Sequence, residues 1–454
     1  MLGITSLQEN RADAVVVGGG LAGLVAAATL AKGGIRVVLM EKSGHAGGRA
    51  TTEELDGGYR FNLGAHALYR KGAAQRVLRG LGVKWTGAAP PSQDGTAIYE
   101  GRKYLFPSGP GSFLRTGLLS FSEKIEAARL LASLGKLDHE ALNHLSLREW
   151  LAGAAKSERV RQLLSTIVRI TTYTNDSERL SAGAALAQVK LGVEGKVDYL
   201  DQGWQTLVDG ALDAALVAGV KVLTNASVAT IRREHSGYMI RLRGGETYRA
   251  SAVVIAAGPA AALSMVEGGQ ETELRQWAEE SIPIKAACLD VALKSLPQKE
   301  SGLFTLGVDR PLYCIVHSVS ARLAPEGGAV IHLMKYHETG SQTAAKADRR
   351  ELEEVLDMAQ PGWRGVVAHS RFLPRITVSN ALVEARRGGL KGRPGPEVGA
   401  MPGLYVAGDW VGQEGMLLDA ALASAHHAAQ LVLKRLSESK AGMASYQEPQ
   451  RLTA

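Results

Sequence analysis

The sequence predicts an α/β fold, a mainly parallel sheet covered by helices with an α+β domain inserted into it, on three observations. A buried-type strand, a glycine turn, an alanine-rich helix and a second strand follow one another between Ala12 and Met40. Strand-like runs ending in glycine recur far down the chain, at Ala252 to Gly258 and at Pro402 to Gly408. Between these pieces lie two long stretches, 88–200 and 270–388, in which the pattern changes first to helices and then to mixed strands and a charged helix.

The first unit runs in order. Asp13 to Val17 is a Val-rich run, the signature of a strand buried on both faces of a parallel sheet. Gly18-x-Gly20-x-x-Gly23 then opens an apolar helix from about Leu21 to Ala31, ended by Gly33 and Gly34. The strand Ile35 to Met40 follows, and Glu41 stands where an acid meets a ribose hydroxyl. Gly18 permits the tight turn, Gly20 lets backbone reach a pyrophosphate, and Gly23 lets helix and strand pack closely. The unpaired amides of Leu21, Ala22 and Gly23, at the positive end of the helix dipole, suit that pyrophosphate. A lone glycine motif says little, but strand, helix, strand and acid in register predict a dinucleotide site.

Composition sets limits around this unit. A chain of 454 residues exceeds one ordinary core, and two domains are expected. The 53 glycines suit a fold with many tight turns and close backbone approaches. A net charge of +7 comes from scattered Lys and Arg, with no basic block to bind nucleic acid. Cys288 and Cys314 are the only cysteines, too few for a disulfide framework or a Cys-based zinc site, and a reducing cytoplasm fits. Met1 to Arg11 carries no apolar run behind a basic start, and no stretch reaches the ~18 apolar residues of a membrane span. The expectation is a cytoplasmic protein, neither secreted nor membrane-spanning.

After Glu41 comes Lys42-Ser43-Gly44-His45-Ala46-Gly47-Gly48-Arg49, where a nicotinamide dehydrogenase would continue into another βα unit. This Gly-Gly-Arg loop resembles that of the flavoprotein superfamily containing amine oxidases, protoporphyrinogen oxidase and phytoene desaturases. The resemblance implies a Rossmann-like FAD-binding domain of the glutathione-reductase (GR2) type, holding FAD non-covalently, with Lys42, Gly48 and Arg49 beside it. Arg49 would supply a fixed positive charge and a donor fork near phosphate. Three further segments are similar to the same superfamily. Gly203-Trp204-Gln205-x-Leu207 leads into a helix, followed by strands at Gly219 to Val222 and Val228 to Ile231; in relatives the residue matching Val228 meets adenine through its backbone. Ala252 to Ile255 runs into Ala256-Ala257-Gly258-Pro259, as where these chains leave the cofactor domain. Finally, Leu404 to Val406 ends in Gly408-Asp409, and a small-residue helix from about Met416 to Leu433 follows. The acid matching Asp409 bonds the ribityl and phosphate region, and amides near Met416, Leu417 and Leu418 would stabilise negative charge on the reduced ring.

The resulting expectation is an FAD-binding domain from 1–87, 201–269 and 389–454, and a substrate domain from 88–200 and 270–388. In the first insert Ser122 can cap a helix whose Ala127, Leu130, Leu131 and Leu134 share a face. In the second, Ala286 to Leu293 and Ala329 to Met334 read as strands and Ala345 to Asp357 as a helix.

Arg371-Phe372-Leu373-Pro374, Gly388-Gly389-Leu390-x-Gly392-Arg393-Pro394 and Gly408-Asp409-Trp410-Val411 look most like bacterial phytoene-desaturase-like proteins. That resemblance implies an FAD-dependent oxidoreductase accepting hydride at flavin N5 from an apolar small molecule, with oxygen, quinone or another acceptor reoxidising it. Amine oxidation to imine and hydrogen peroxide is the alternative, weakened because Leu417 stands where monoamine oxidases carry an aromatic residue two positions before the acid, here Asp419. A redox-neutral or structural flavoprotein is the third reading.

Hydride transfer needs chiefly alignment and exclusion of water, so few catalytic groups are expected. His66, in Asn62-Leu63-Gly64-Ala65-His66, follows a glycine turn that in relatives lies against the isoalloxazine ring, with Gly64 and Ala65 as contacts; a near-neutral pKa would suit it to proton transfer, against a packing role. Lys285 stands at a place resembling the oxidase lysine that holds a water on flavin N5, against a solvent-facing strand lysine. His139-Glu140 and His144 are spaced one residue too far apart for a zinc helix, and no metal is expected. His426 and His427 read as packing or surface residues. Phe106, Phe113, Leu114, Leu118, Leu119 and Phe121, with Arg102, Lys103 and Arg115, read as core or cavity lining rather than as a surface for peripheral membrane contact. Monomer and homodimer both remain open.

Overall fold

The computed structural model describes residues 10–90, 95–342 and 344–446, with side chains through Ser439; the outer ends of the expected cofactor segments, 1–9 and 447–454, lie outside the described residues.

Strand Arg11–Val17 is central to a seven-stranded sheet. It pairs in parallel with Val37–Met40 on one side and Thr247–Ile255 on the other, and Leu404–Val406 pairs in parallel with Thr247–Ile255. Val17 is in register with Met40 and Ile255, and Ile255 with Val406. Four strands therefore end level, and the glycine turns expected from sequence gather at one edge, where ligands bind in open α/β sheets. Thr247–Ile255 alternates exposed and buried residues before turning fully buried, because its first half belongs to an antiparallel meander with Val228–Glu234 and Gly237–Leu242. Helices Leu21–Lys32, Gln205–Val217 and Leu417–Tyr446 pack together over the sheet; Ala26, Ala27, Ala28, Ala425, Ala428 and Ala429 are fully buried, and their small side chains permit close approach.

A second seven-stranded sheet has the order Val367–Ser379, Ile284–Leu293, Ala329–Tyr336, Leu312–Val316, Phe304–Gly307, Thr96–Tyr99, Arg102–Leu105. Both inserted stretches thus contribute to one sheet. Leu289, Val291 and Leu293 face helix Ala345–Ala359, while Ala286, Cys288 and Ala292 face the helices of the first insert and Phe61. A three-stranded sheet of Leu68–Tyr69, Val197–Leu200 and Gly87–Ala88 joins the two units.

Three sequence expectations shift. The helix expected to be capped by Ser122 runs Phe121–Leu134 and is capped by Ser120, whose Oγ accepts from Glu123 N at 3.4 Å while Glu123 Oε2 accepts from Ser120 N at 2.7 Å; this reciprocal box needs an acid three residues on, which Ser122 lacks. Helix Glu273–Glu280 packs on the parallel-sheet core through Leu274 and Trp277, so the chain crosses to the second sheet after Glu280 and not at 270. The last helix runs on to Tyr446.

Candidate functional site

The glycine turn separates two kinds of requirement. Gly18 has φ +104°, and a Cβ there would lie 2.6 Å from Ala256 O; a Cβ on Gly23 would lie 1.8 Å from Gly18 O. A Cβ on Gly20 would come no closer than 3.9 Å to any described atom, so Gly20 faces open space. Helix Leu21–Lys32 has Gly20 at its N-cap with no side-chain cap and no acid in its first turn, leaving the amides of Leu21, Ala22 and Gly23 for an anion. Glu41 is buried; its Oε2 accepts from Gly19 N at 2.6 Å and its Oε1 from Ser43 N at 2.8 Å. The acid thus braces the turn and keeps further acceptor capacity on each oxygen. Lys42 is exposed, and the segment leading to Val228 runs alongside, with Ala226 N donating to Glu41 O at 2.8 Å.

The loop carrying Gly48 and Arg49 is fastened to this turn by Gly47 N to Gly19 O at 2.8 Å. Arg49 Nη1 donates to Asp409 Oδ2 at 2.7 Å and to Val378 O at 2.9 Å, joining residues 360 positions apart. Asn380 also donates to Asp409, from its backbone N at 3.1 Å and Nδ2 at 2.8 Å. Burial alone would raise the Asp409 pKa, but the Arg49 charge and these hydrogen bonds outweigh it and hold the carboxyl below the ordinary range. Arg49 remains about half exposed, with donors to spare for a phosphate.

Gly258 admits Asn380, whose Oδ1 would be 2.7 Å from a Cβ there, and Ala257 O accepts from Trp410 Nε1 at 3.0 Å. Gly408 is held at both its N and O by Ser424 Oγ at 3.0 Å. Sequence reasoning missed Asn380, which carries no motif, and Arg393, read only as a branch marker. Arg393 donates to Asp409 O at 3.1 Å and Gly415 O at 2.7 Å, and its burial lowers the guanidinium to about 10, still charged at neutral pH.

At the last helix Gly415 has φ +66° and Leu417 φ +55°, a left-handed conformation unusual for a leucine. Met416 is buried against Ala184 and Val383. The acid of the first turn, Asp419, reaches helix Ala73–Leu81, accepting from Ala74 N at 2.8 Å. Burial raises Asp419 to about 6.

Gly64 has φ +83°, and a Cβ there would meet Cys288 Sγ at 2.9 Å. His66 Nδ1 lies 3.0 Å from Gly64 O, and its ring leans on Trp204 at 4.6 Å. Trp204 N donates to Asn62 Oδ1 at 3.0 Å, which is what the Gly203-Trp204-Gln205 motif secures. The near-neutral pKa expected for His66 is corrected: burial pushes it to about 4, so the ring is neutral at physiological pH. Lys285 lies on the opposite face of its strand from Ile284, Ala286 and Cys288, and lines a cavity of about 240 Å³ with Asn175, His337 and Arg375. The two catalytic candidates are therefore not brought together. His139 and His144 fall in a turn region, and no group of three potential metal ligands occurs among the described residues. His426 bonds Gln430 on the surface of the last helix. Of the six apolar residues weighed for membrane contact, Phe106, Leu118 and Leu119 are buried and Phe113 packs on the core, whereas Leu114 and Phe121 are exposed. Among the described residues no helix is long and apolar enough to cross a membrane.

A sequence profile described as "Flavin containing amine oxidoreductase" matches residues 21–433. A Mycobacterium tuberculosis protein classed by inference as a flavin-containing monoamine oxidase, AofH, is 26% identical over 263 residues, 55% of this chain and 57% of its own length. The chain thus spans little more than half the length of that relative. The 4,4'-diapolycopen-4-al dehydrogenase of Metabacillus indicus is 25% identical over 403 residues, 77% of this chain and 80% of the relative. A solved triple variant of putrescine oxidase shares the fold, with a TM-score of 0.74 at 17% identity, covering 94% of this chain and 99% of its own.

Proposed function

The chain belongs to the flavin containing amine oxidoreductase family, and from that premise we propose that it binds FAD non-covalently and dehydrogenates a small, largely apolar organic molecule. As a member it is a flavin-dependent oxidoreductase. The observation that carries the finer reading is the Arg49–Asp409 pair, which joins residues 360 positions apart beside the uncapped start of helix Leu21–Lys32.

Gly18, Gly20 and Gly23, with the amides of Leu21 and Ala22, would receive the pyrophosphate; Glu41 would take the adenosine ribose, and the Val228 backbone the adenine. Arg49, Gly48, Asp409 and the Ala257-Gly258 turn would flank the ribityl chain, and Met416, Leu417 and Leu418 the ring. The cradle fits such a group: Gly20 leaves open space where a Cβ would intrude, and helix Leu21–Lys32 begins with no side-chain cap and no acid in its first turn. FAD, when bound, supplies a two-electron acceptor at its N5. Gly64, Ala65 and His66 would form one wall of the reacting space and exclude water from it. Non-covalent binding is supported by the position of both thiols, buried in the second sheet and outside the Gly408–Leu418 segment.

An amine substrate is the second reading, favoured by Tyr173, which donates to Ala65 O at 3.1 Å and meets Tyr336 edge-on at 6.1 Å; such rings can face a cation. The test is anaerobic mixing of FAD-loaded protein with a panel of polyenes, alcohols, aldehydes and amines, followed by a peroxide assay in air. Bleaching by an apolar compound is expected; bleaching by amines alone would transfer the assignment to the second reading. A protein that stays colourless and refuses added FAD would end the proposal.

A further inference from the structure

One rung of the second sheet carries an unusual set of side chains. Asp290 is in register with His332 on one neighbouring strand and Arg371 on the other. Arg371 donates to Asp290 Oδ2 through Nε at 3.0 Å and Nη2 at 2.6 Å, and His332 Nδ1 lies 2.6 Å from Asp290 Oδ1. Asp290 and His332 are fully buried. His332 Nε2 is buried with no hydrogen-bond partner among the described residues, and the centroids of the His317 and His332 rings are 4.9 Å apart. The His317 ring bonds the backbone of His66. Buried polar atoms left without partners are destabilising, and neighbouring positions on the same face hold Ala286, Cys288 and Ala292.

The rung reaches the candidate flavin loop. Arg371 Nη2 donates to Asn62 O, and Asn62 Oδ1 holds Trp204, on which His66 leans. Arg371 also pairs with Glu53 at 2.7 Å, so Glu53, Arg371 and Asp290 together leave one negative charge that a proton on the histidines would neutralise. The remaining titratable neighbours, Tyr199 against His317 and Cys288 beside Asp290, are held neutral by burial.

We propose that His66, His317 and His332, balanced by Asp290 and Arg371, form a buried relay that accepts the proton released when the substrate is dehydrogenated. The inference rests on the flavin reading above. A substrate that gives hydride to the flavin from one atom gives a proton from its neighbour; the electron pair of that second bond becomes the new double bond, and the proton passes to His66. His66 Nδ1 lies 3.0 Å from Gly64 O and the ring also bonds the Arg49 backbone, carbonyls that would stabilise the ring once it is protonated. The histidines then hold the proton against Asp290 until an external acceptor, oxygen or quinone, reoxidises the site.

The test needs no substrate. Negative charge arriving on the flavin raises the relay's proton affinity, so reduction takes up one extra proton above the resting His66 titration near pH 4. One extra proton per two electrons changes the reduction equilibrium tenfold per pH unit, about 30 mV. The potential of FAD-loaded protein, titrated with dithionite against a reference dye, should show this added slope in the wild type and lose it in His66→Gln and His332→Gln. Retention of the slope in either variant overturns the relay. Should a variant fail to fold, nitrogen-15 NMR of histidine-labelled wild-type holoenzyme decides: a ring becoming imidazolium on reduction supports the relay, and no change refutes it. Wild-type protein that binds no FAD fails at the earlier step and removes both proposals.

Discussion

Arg49 and Asp409 each have a local reason to be where they are, but only together do they make sense of the charge at the site. Replacing Arg49 by Ala leaves a buried carboxylate with Asn380 as its remaining side-chain partner. The expected cost is about 1–3 kcal/mol in stability and at least a tenfold loss in FAD affinity, measured by denaturant unfolding and by cofactor titration. Arg49→Lys should fall between, because an ammonium lacks the planar fork. Asp419 gives a separate, signed expectation. Burial raises its folded pKa to about 6, above the unfolded value, so its contribution is fully present below about pH 4 and is lost as pH rises through 6. Asp419→Asn should therefore flatten the decline in unfolding free energy between about pH 4 and 7, a difference of up to about 3 kcal/mol; an unchanged profile would show that the carboxyl is not held protonated.

At the scale of elements, the glycine turn makes two different demands on one short sequence. Gly23→Ala would force a methyl to within 1.8 Å of Gly18 O, and the turn or the helix must shift. Gly20→Ala meets nothing closer than 3.9 Å and should leave apoprotein stability within about 1 kcal/mol of wild type while obstructing the approach of a pyrophosphate. Parallel thermal melts and FAD titrations of the two variants check this: loss of stability in Gly20→Ala, or unimpaired FAD binding by it, would contradict the division. The helix Phe121–Leu134 illustrates the limit of reading elements from pattern. Ser120 and Ser122 are both plausible caps from composition, and the choice went to the one with Glu123 three residues on.

For the whole molecule, the apolar residues of 106–121 divide according to packing. Phe106, Leu118 and Leu119 enter the core, leaving Leu114 and Phe121 exposed, a surface too small to anchor a protein on its own. Flotation with neutral phosphatidylcholine vesicles should leave the protein in the bottom fraction; recovery at the top would mean that these side chains insert. The parallel-sheet unit was legible in sequence because its demands are local: strand, glycine turn and helix each follow from neighbouring residues, so the tight turn at Gly18 and the close packing at Gly23 could be assigned from spacing. The Gly-Asp strand near the C-terminus was legible for the same reason. The pairing of Arg49 with Asp409, the inward turn of Asp419, the opposite facing of Lys285 and the rung Arg371–Asp290–His332 were not. Each depends on register between strands far apart in sequence, which spacing does not encode. Amino-acid order alone determined the glycine turn and the strand ends that gather at one edge of the parallel sheet; which side chains face one another there, and hence how charge is arranged, was decided only when the two sheets packed and burial changed the cost of every charge between them.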